Sequence, residues 1–167
     1  MPTKPRFIFF GLIFLVTMAL SGCGLNINRN ADGSLTVEAR MTEADLQTEI
    51  AAAIADPLLR NFVIDVQEGY IRVSAERKRL NSDQTDTLSF RLTLSASEGR
   101  LAALISEAQI NNQPLDSDRV ALWNERIANR LGKATQRNPD STLQSVTMGG
   151  EVVTMVWRVE TSRSRDN

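Results

Sequence analysis

The chain has 167 residues with 19 basic and 20 acidic side chains, no histidine and a single cysteine. This balance lacks the positive footprint with which proteins neutralise phosphates, so nucleic acid is excluded as a partner. The absence of histidine removes serine–histidine and cysteine–histidine catalysis and imidazole metal sites, and no spacing supports paired carboxylates or a serine–lysine pair. No catalytic residue, cofactor or metal is expected, and the reading is of a protein that is not an enzyme.

The chain opens Met1-Pro2-Thr3-Lys4-Pro5-Arg6, and residues 7–20 are apolar except for Gly11 and Thr17. A helix that crosses a membrane needs about 20 apolar residues, so this shorter run behind a charged start has the form of an export signal. It ends Leu20-Ser21-Gly22-Cys23-Gly24. That stretch resembles the lipobox of bacterial lipoproteins. The resemblance implies a signal peptide over residues 1–22, cleavage after Leu20, Ser21 and Gly22, and lipid attachment at Cys23, which becomes the mature N-terminus. One acyl chain holds a protein marginally, whereas two or three anchor it durably. Gly24 is not the aspartate-type signal for retention at an inner membrane. The expected location is therefore extracytoplasmic: the periplasmic face of the outer membrane in a two-membrane cell, and the outer face of the cell membrane otherwise. Loss of Lys4 and Arg6 with the signal leaves a slightly more acidic remainder, read as one envelope domain over residues 23–161 and a charged, disordered tail over 162–167.

Leu25-Asn26-Ile27-Asn28 and Ser34-Leu35-Thr36-Val37-Glu38-Ala39 both alternate around the turn residues Asn30-Ala31-Asp32-Gly33, which predicts a hairpin beginning almost at the anchor. Thr42 then predicts a helix N-cap, with Asp45 three residues on in a capping-box arrangement and Leu46, Ile50, Ala53 and Ile54 at helical spacing. Asp56-Pro57 closes that helix. From Asn61 the period becomes two: Phe62, Ile64 and Val66 share a face, Glu68-Gly69 turns, and Ile71, Val73 and Ala75 return. Residues 76–86 are polar and read as a solvated excursion.

Leu88, Phe90, Leu92 and Leu94 alternate cleanly, and Ser97-Glu98-Gly99 turns the chain into residues 101–110. There the phase blurs, so either both faces are partly buried or a bulge shifts the register. Asp116 or Ser117 can cap a second helix with the apolar stripe Val120, Trp123, Ile127 and Leu131; Arg119, Glu125, Arg126 and Arg130 fall mostly outside the stripe, and Gly132 is a candidate C-terminal cap. Residues 143–148 and 151–161 make a last hairpin around Gly149-Gly150. The order ββ-α-ββββ-α-ββ defines an α+β fold: a curved antiparallel sheet of about eight strands in hairpins, packed with two helices.

Three local features invite a functional reading. Asp83, Asp86 and Glu76 could gather around calcium, but the spaced acids and central glycine of a calcium loop are missing, which favours a solvated loop. Arg77-Lys78-Arg79 could touch anionic headgroups, although three charges in a polar loop are more often plain surface. Trp123 and Trp157 suit a lipid-lined groove, but both lie on apolar stripes, which favours the core.

At the scale of the domain, Thr42-Glu43-Ala44-Asp45-Leu46, Gly69-Tyr70-Ile71-Arg72-Val73, Glu98-Gly99-Arg100-Leu101, Gln113-Pro114-Leu115 and the closing hairpin resemble the small bacterial phospholipid-binding proteins of the tubular lipid-binding superfamily. The resemblance spans residues 41–160. It implies a curved sheet wrapped around a helix, with an apolar groove for acyl chains. The residues on the apolar stripes that would line such a groove are Leu46, Ile50, Ile54, Phe90, Leu92, Trp123, Ile127 and Trp157.

The expected function is thus a membrane-anchored, non-enzymatic envelope lipoprotein, binding a phospholipid, fatty acid or other apolar ligand between sheet and helix. The alternative is a structural or assembly lipoprotein that docks on an envelope protein partner through a sheet edge or helix face.

Overall fold

In the computed structural model residues 24–80 and 83–160 are described; the segment 1–22 expected to be a signal peptide, Cys23 and the tail over 162–167 expected to be disordered lie outside the described residues. Strand β1 (Leu25–Arg29) turns through Asn30 and Gly33 into β2 (Leu35–Thr42). Inside the turn the Asp32 carboxylate accepts from the Ser34 N–H at 2.9 Å and from the Ser34 hydroxyl at 2.7 Å. Helix α1 (Glu43–Ile54) starts as its sequence predicts: the Asp45 N–H donates to Thr42 Oγ1 at 3.3 Å, and the Thr42 N–H donates back to Asp45 at 3.0 Å. Such a cap contributes about 1 kcal/mol. Glu43 accepts from the Val66 N–H at 2.8 Å, which ties the helix start to β3 (Leu59–Gln67).

Strands β3, β4 (Tyr70–Lys78), β5 (Thr85–Ser97), β6 (Arg100–Ile110) and the two-residue β7 (Gln113–Pro114) form a five-stranded antiparallel sheet in sequential order. Helix α2 (Ser117–Thr135) follows, capped by Asp116, and β8 (Thr142–Gly149) and β9 (Val152–Val159) complete a second sheet in the order β1-β2-β9-β8. The α+β class, the hairpins and the two helices follow the sequence expectation. The strands, however, divide between two sheets, and β7 adds a short ninth.

The division has a local cause. β8 touches β3, β4, β5 and β6. A single strand that meets four neighbouring strands must run across their ends. Two backbone bonds fix it there: the Leu143 N–H donates to the Gly99 carbonyl at 2.7 Å, and the Gly69 N–H donates to the Met148 carbonyl at 3.3 Å. Each end of β8 is thereby bonded to the tip of one hairpin of the larger sheet. At the tighter joint Gly99 has φ +74°, and a Cβ there would stand 3.3 Å from Thr142 Cβ and Cγ2.

Cross-strand register brings the apolar positions onto one face: Ile64 opposes Val73, Val73 opposes Phe90, Ile71 opposes Leu92 and Leu92 opposes Ile105. The blurred phase of β6 is a bulge. Ser89 pairs with Gln109 and Arg91 with Ser106, so Phe90 stands against two residues, Glu107 at φ 54° and Ala108. Beyond it Ala108 and Ile110 return to the core face. A second bulge, at Asn61 (φ 53°), does the same for β3.

Other expectations shift. The polar excursion is shorter than residues 76–86, because Arg77 pairs with Asp86 and Lys78 with Thr85, and Asp86 is buried. Gly132 lies within α2, which continues to Thr135, and it is the Gly132 carbonyl that accepts from the Gln136 N–H at the helix end; a Cβ at Gly132 would make only ordinary contact, 3.8 Å, with Leu101 Cβ of β6. The last turn falls on Gly150-Glu151, one residue later than Gly149-Gly150, and Glu151 takes φ 67°. α2 runs beside β6, where Asn124 Oδ1 accepts from the Ile105 N–H at 2.7 Å. A helix thus satisfies a donor that β5 leaves unused, one of the ways natural sheets protect an edge.

Gly69→Ala is expected to cost about 1–2 kcal/mol, the penalty of a Cβ in left-handed backbone, since nothing lies within 4 Å of that position. Gly99→Ala should cost more, because Thr142 must also shift. Urea unfolding of the two variants side by side checks the order; equal losses would mean that the joint is not tightly packed.

Candidate functional site

The expected ligand-lining residues come together, and they meet one another. Leu46, Ile50 and Ile54 of α1, Phe90 and Leu92 of β5, Trp123 and Ile127 of α2, and Trp157 of β9 all belong to one buried cluster, and none is more than 4% exposed. The Phe90 and Trp123 rings lie tilted at 6.1 Å between centroids. Trp157 opposes Val37 on one side and Leu143 on the other, and its indole N–H is buried without an acceptor among the described residues. Each fully buried side chain of this size contributes about 1.5–3 kcal/mol, so this set holds both sheets and both helices together.

Open hollows lie at the surface instead. One, of about 550 Å³, sits between the β5–β6 turn and the end of α2, with Trp157 in its wall and Arg100, Lys133, Gln136 and Asp140 around it. Another, of about 530 Å³, is the groove between α1 and α2. Its floor is small, formed by Ala52, Ala53 and Ala134, and its rim carries Arg126, Arg130 and Lys133. These cations recur at i, i+4 and i+7, which aligns them along one side of α2. Glu49 is the acid in the groove and pairs with Arg130 at 2.6 Å. Among the described residues Arg126 and Lys133 have no ion-pair partner, so the groove is net cationic although the chain is net acidic.

Reading α2 by its apolar stripe missed this site, because Arg126 and Arg130 then appear only as a solvated face. The spacing of 126, 130 and 133 was the available signal. That α1 supplies a floor of alanines and a single acid could not be read from α2 alone.

Among the described residues Asp83, Asp86 and Glu76 do not gather into a group that could hold a metal ion. Asp86 accepts from Arg79 Nε at 2.7 Å and Nη2 at 2.6 Å and is bonded to Asn111, whereas Glu76 accepts from Asn61 at 2.8 Å and lies 3.6 Å from Arg60. Arg79, then Asn111 and the charge of Arg77, hold the Asp86 carboxyl below the usual carboxylate range, against the opposing effect of burial. Asp32 is lowered chiefly by its Ser34 hydrogen bonds, with Arg158 at 2.7 Å adding to the effect. Among the described residues no group of three or more acids or cysteines is placed to hold a metal ion, and no helix is long and apolar enough to cross a membrane. Comparison with protein-family models, curated proteins and solved structures found no match.

Two outcomes follow. Ile127→Ala should lower stability by about 2–5 kcal/mol in urea unfolding, the cost of emptying a closed core, whereas a residue that lines an open groove would lose far less. A carboxyl lowered in the folded state stabilises above its ordinary pKa, and that contribution disappears as pH falls through the lowered value. Stability should therefore fall below about pH 4, and Asp86→Asn should flatten the decline in acid titrations of the unfolding midpoint; an unchanged slope would remove Asp86 from the account.

Proposed function

We propose that the protein is a membrane-tethered, non-enzymatic lipoprotein of the cell envelope that docks an acidic segment of a protein partner in the groove between α1 and α2. The tether rests on the signal-like N-terminus and the lipobox around Cys23. The docking reading rests on one observation: the residues expected to hold an apolar ligand are packed against one another, while a net cationic groove of about 530 Å³ remains open outside them. Arg126 and Lys133 supply charge that no ion pair among the described residues neutralises, and Ala52, Ala53 and Ala134 allow a partner backbone to come close. Complementary charge of this kind chiefly raises the rate and selectivity of encounter, and it weakens as salt screens it.

The test uses a photo-crosslinker at Asn129, within the groove, in the full-length lipoprotein on its own membrane. The expected product is a cross-linked peptide rich in Asp and Glu. Its yield should fall by about tenfold, the effect of losing roughly 1.4 kcal/mol, in Arg126→Glu/Lys133→Glu with the unfolding midpoint unchanged. Co-purified phospholipid or fatty acid in residues 24–167, detected by native mass spectrometry and lipid extraction, would instead favour an internal apolar ligand and count against docking as the main role.

A further inference from the structure

We propose that Leu25, Ile27 and Arg29 form a membrane-contact edge that lays the domain against the bilayer holding its lipid anchor. The inference rests on the tether reading and adds an orientation to it.

β1 is the outer strand of the four-stranded sheet. Leu25 opposes Ala39 and Ile27 opposes Val37. Directly opposed residues point to the same face of a sheet, and here that face is the core face, with Ala39 1% and Val37 6% exposed. Leu25 and Ile27 nevertheless stand 44% and 61% exposed. They continue an apolar surface past the point where the protein covers it. Arg29, exposed at the end of the same row, opposes Leu35 and suits lipid phosphates, while the alternate positions Asn26 and Asn28 turn polar amides to the other face.

What covers the row follows from where the chain comes from. The Arg40 N–H already donates to the Gly24 carbonyl at 3.1 Å, so pairing begins at the residue after Cys23 and leaves no slack between anchor and sheet. A fully extended chain spans at most about 3.6 Å per residue, so the chain from Cys23 can reach no more than about 7 Å to Leu25 and about 14 Å to Ile27. An amphipathic surface sinks about 5–10 Å into the boundary between headgroups and acyl chains, so acyl chains on Cys23 bring the lipid to these side chains. Apolar residues next to a cation form the combination that settles at such a boundary.

The experiment places an environment-sensitive fluorophore on Ile27→Cys, Asn28→Cys or Val63→Cys in the mature acylated protein, reconstituted in phosphatidylethanolamine–phosphatidylglycerol vesicles containing brominated phosphatidylcholine. Val63 serves as the control because it is 59% exposed but lies on the five-stranded sheet. Quenching at Ile27 should exceed that at Asn28 and Val63 by about threefold or more, as expected for a side chain within the boundary region. Leu25→Ser should reduce the quenching at Ile27 by loosening the contact. Intact mass of the same samples separates the two possible failures. An acylated protein with equal quenching at all three sites overturns the membrane edge alone and leaves β1 to a protein strand. A protein without the acyl mass overturns the tether reading and the edge with it.

Discussion

The architecture depends on how β8 meets the larger sheet. Two backbone bonds, from Leu143 to Gly99 and from Gly69 to Met148, set this strand across the tips of two hairpins. Because the strand runs across those tips, it cannot also extend the five-stranded ladder at its edge. It pairs with β9, and the strands separate into two sheets that close on a shared core. Gly99 is the residue on which the joint turns, since it supplies both the left-handed backbone and the space that Thr142 occupies.

The consequence for function lies in where apolar surface goes. Both sheets and both helices turn their apolar faces to the same interior, and Leu46, Ile50, Leu92 and Ile127 are fully enclosed there. Protein interiors pack about as densely as organic crystals, so side chains enclosed to this degree hold one another rather than a guest. Among what stays accessible are a cationic groove between the helices and an apolar row on the first strand. Both suit contact with large partners better than capture of a small molecule. They lie on different elements, since the row belongs to β1 while the groove is built from α1 and α2.

Most of the element order was legible in the residues. Thr42 and Asp45 announced α1, the alternation of Leu88, Phe90, Leu92 and Leu94 announced β5, and the blurred phase after Leu101 pointed to the bulge found at Glu107. Other features failed for specific reasons. Residues 76–86 are polar, and polar composition alone cannot show that Arg77 and Asp86 face each other across a hairpin or that Arg79 and Asn111 make burial of Asp86 tolerable. Gly132 carried the signal of a helix end, but α2 runs one turn further and closes where the Gln136 N–H meets the Gly132 carbonyl. Asn124 gave no signal at all, because its role is to answer an N–H from an element distant in sequence.

The sequence by itself determined the elements, their caps, their apolar faces, the absence of histidine chemistry and the signal-like start, because each depends on residues within a turn or two of one another. Tertiary structure alone decided how the strands divide between sheets, whether the apolar faces enclose a space or fill it, and which charges on α2 border a groove. Those outcomes depend on pairs of residues far apart in the chain, such as Gly99 with Leu143 and Glu49 with Arg130, and local periodicity carries no information about which distant surface an apolar or charged face will meet.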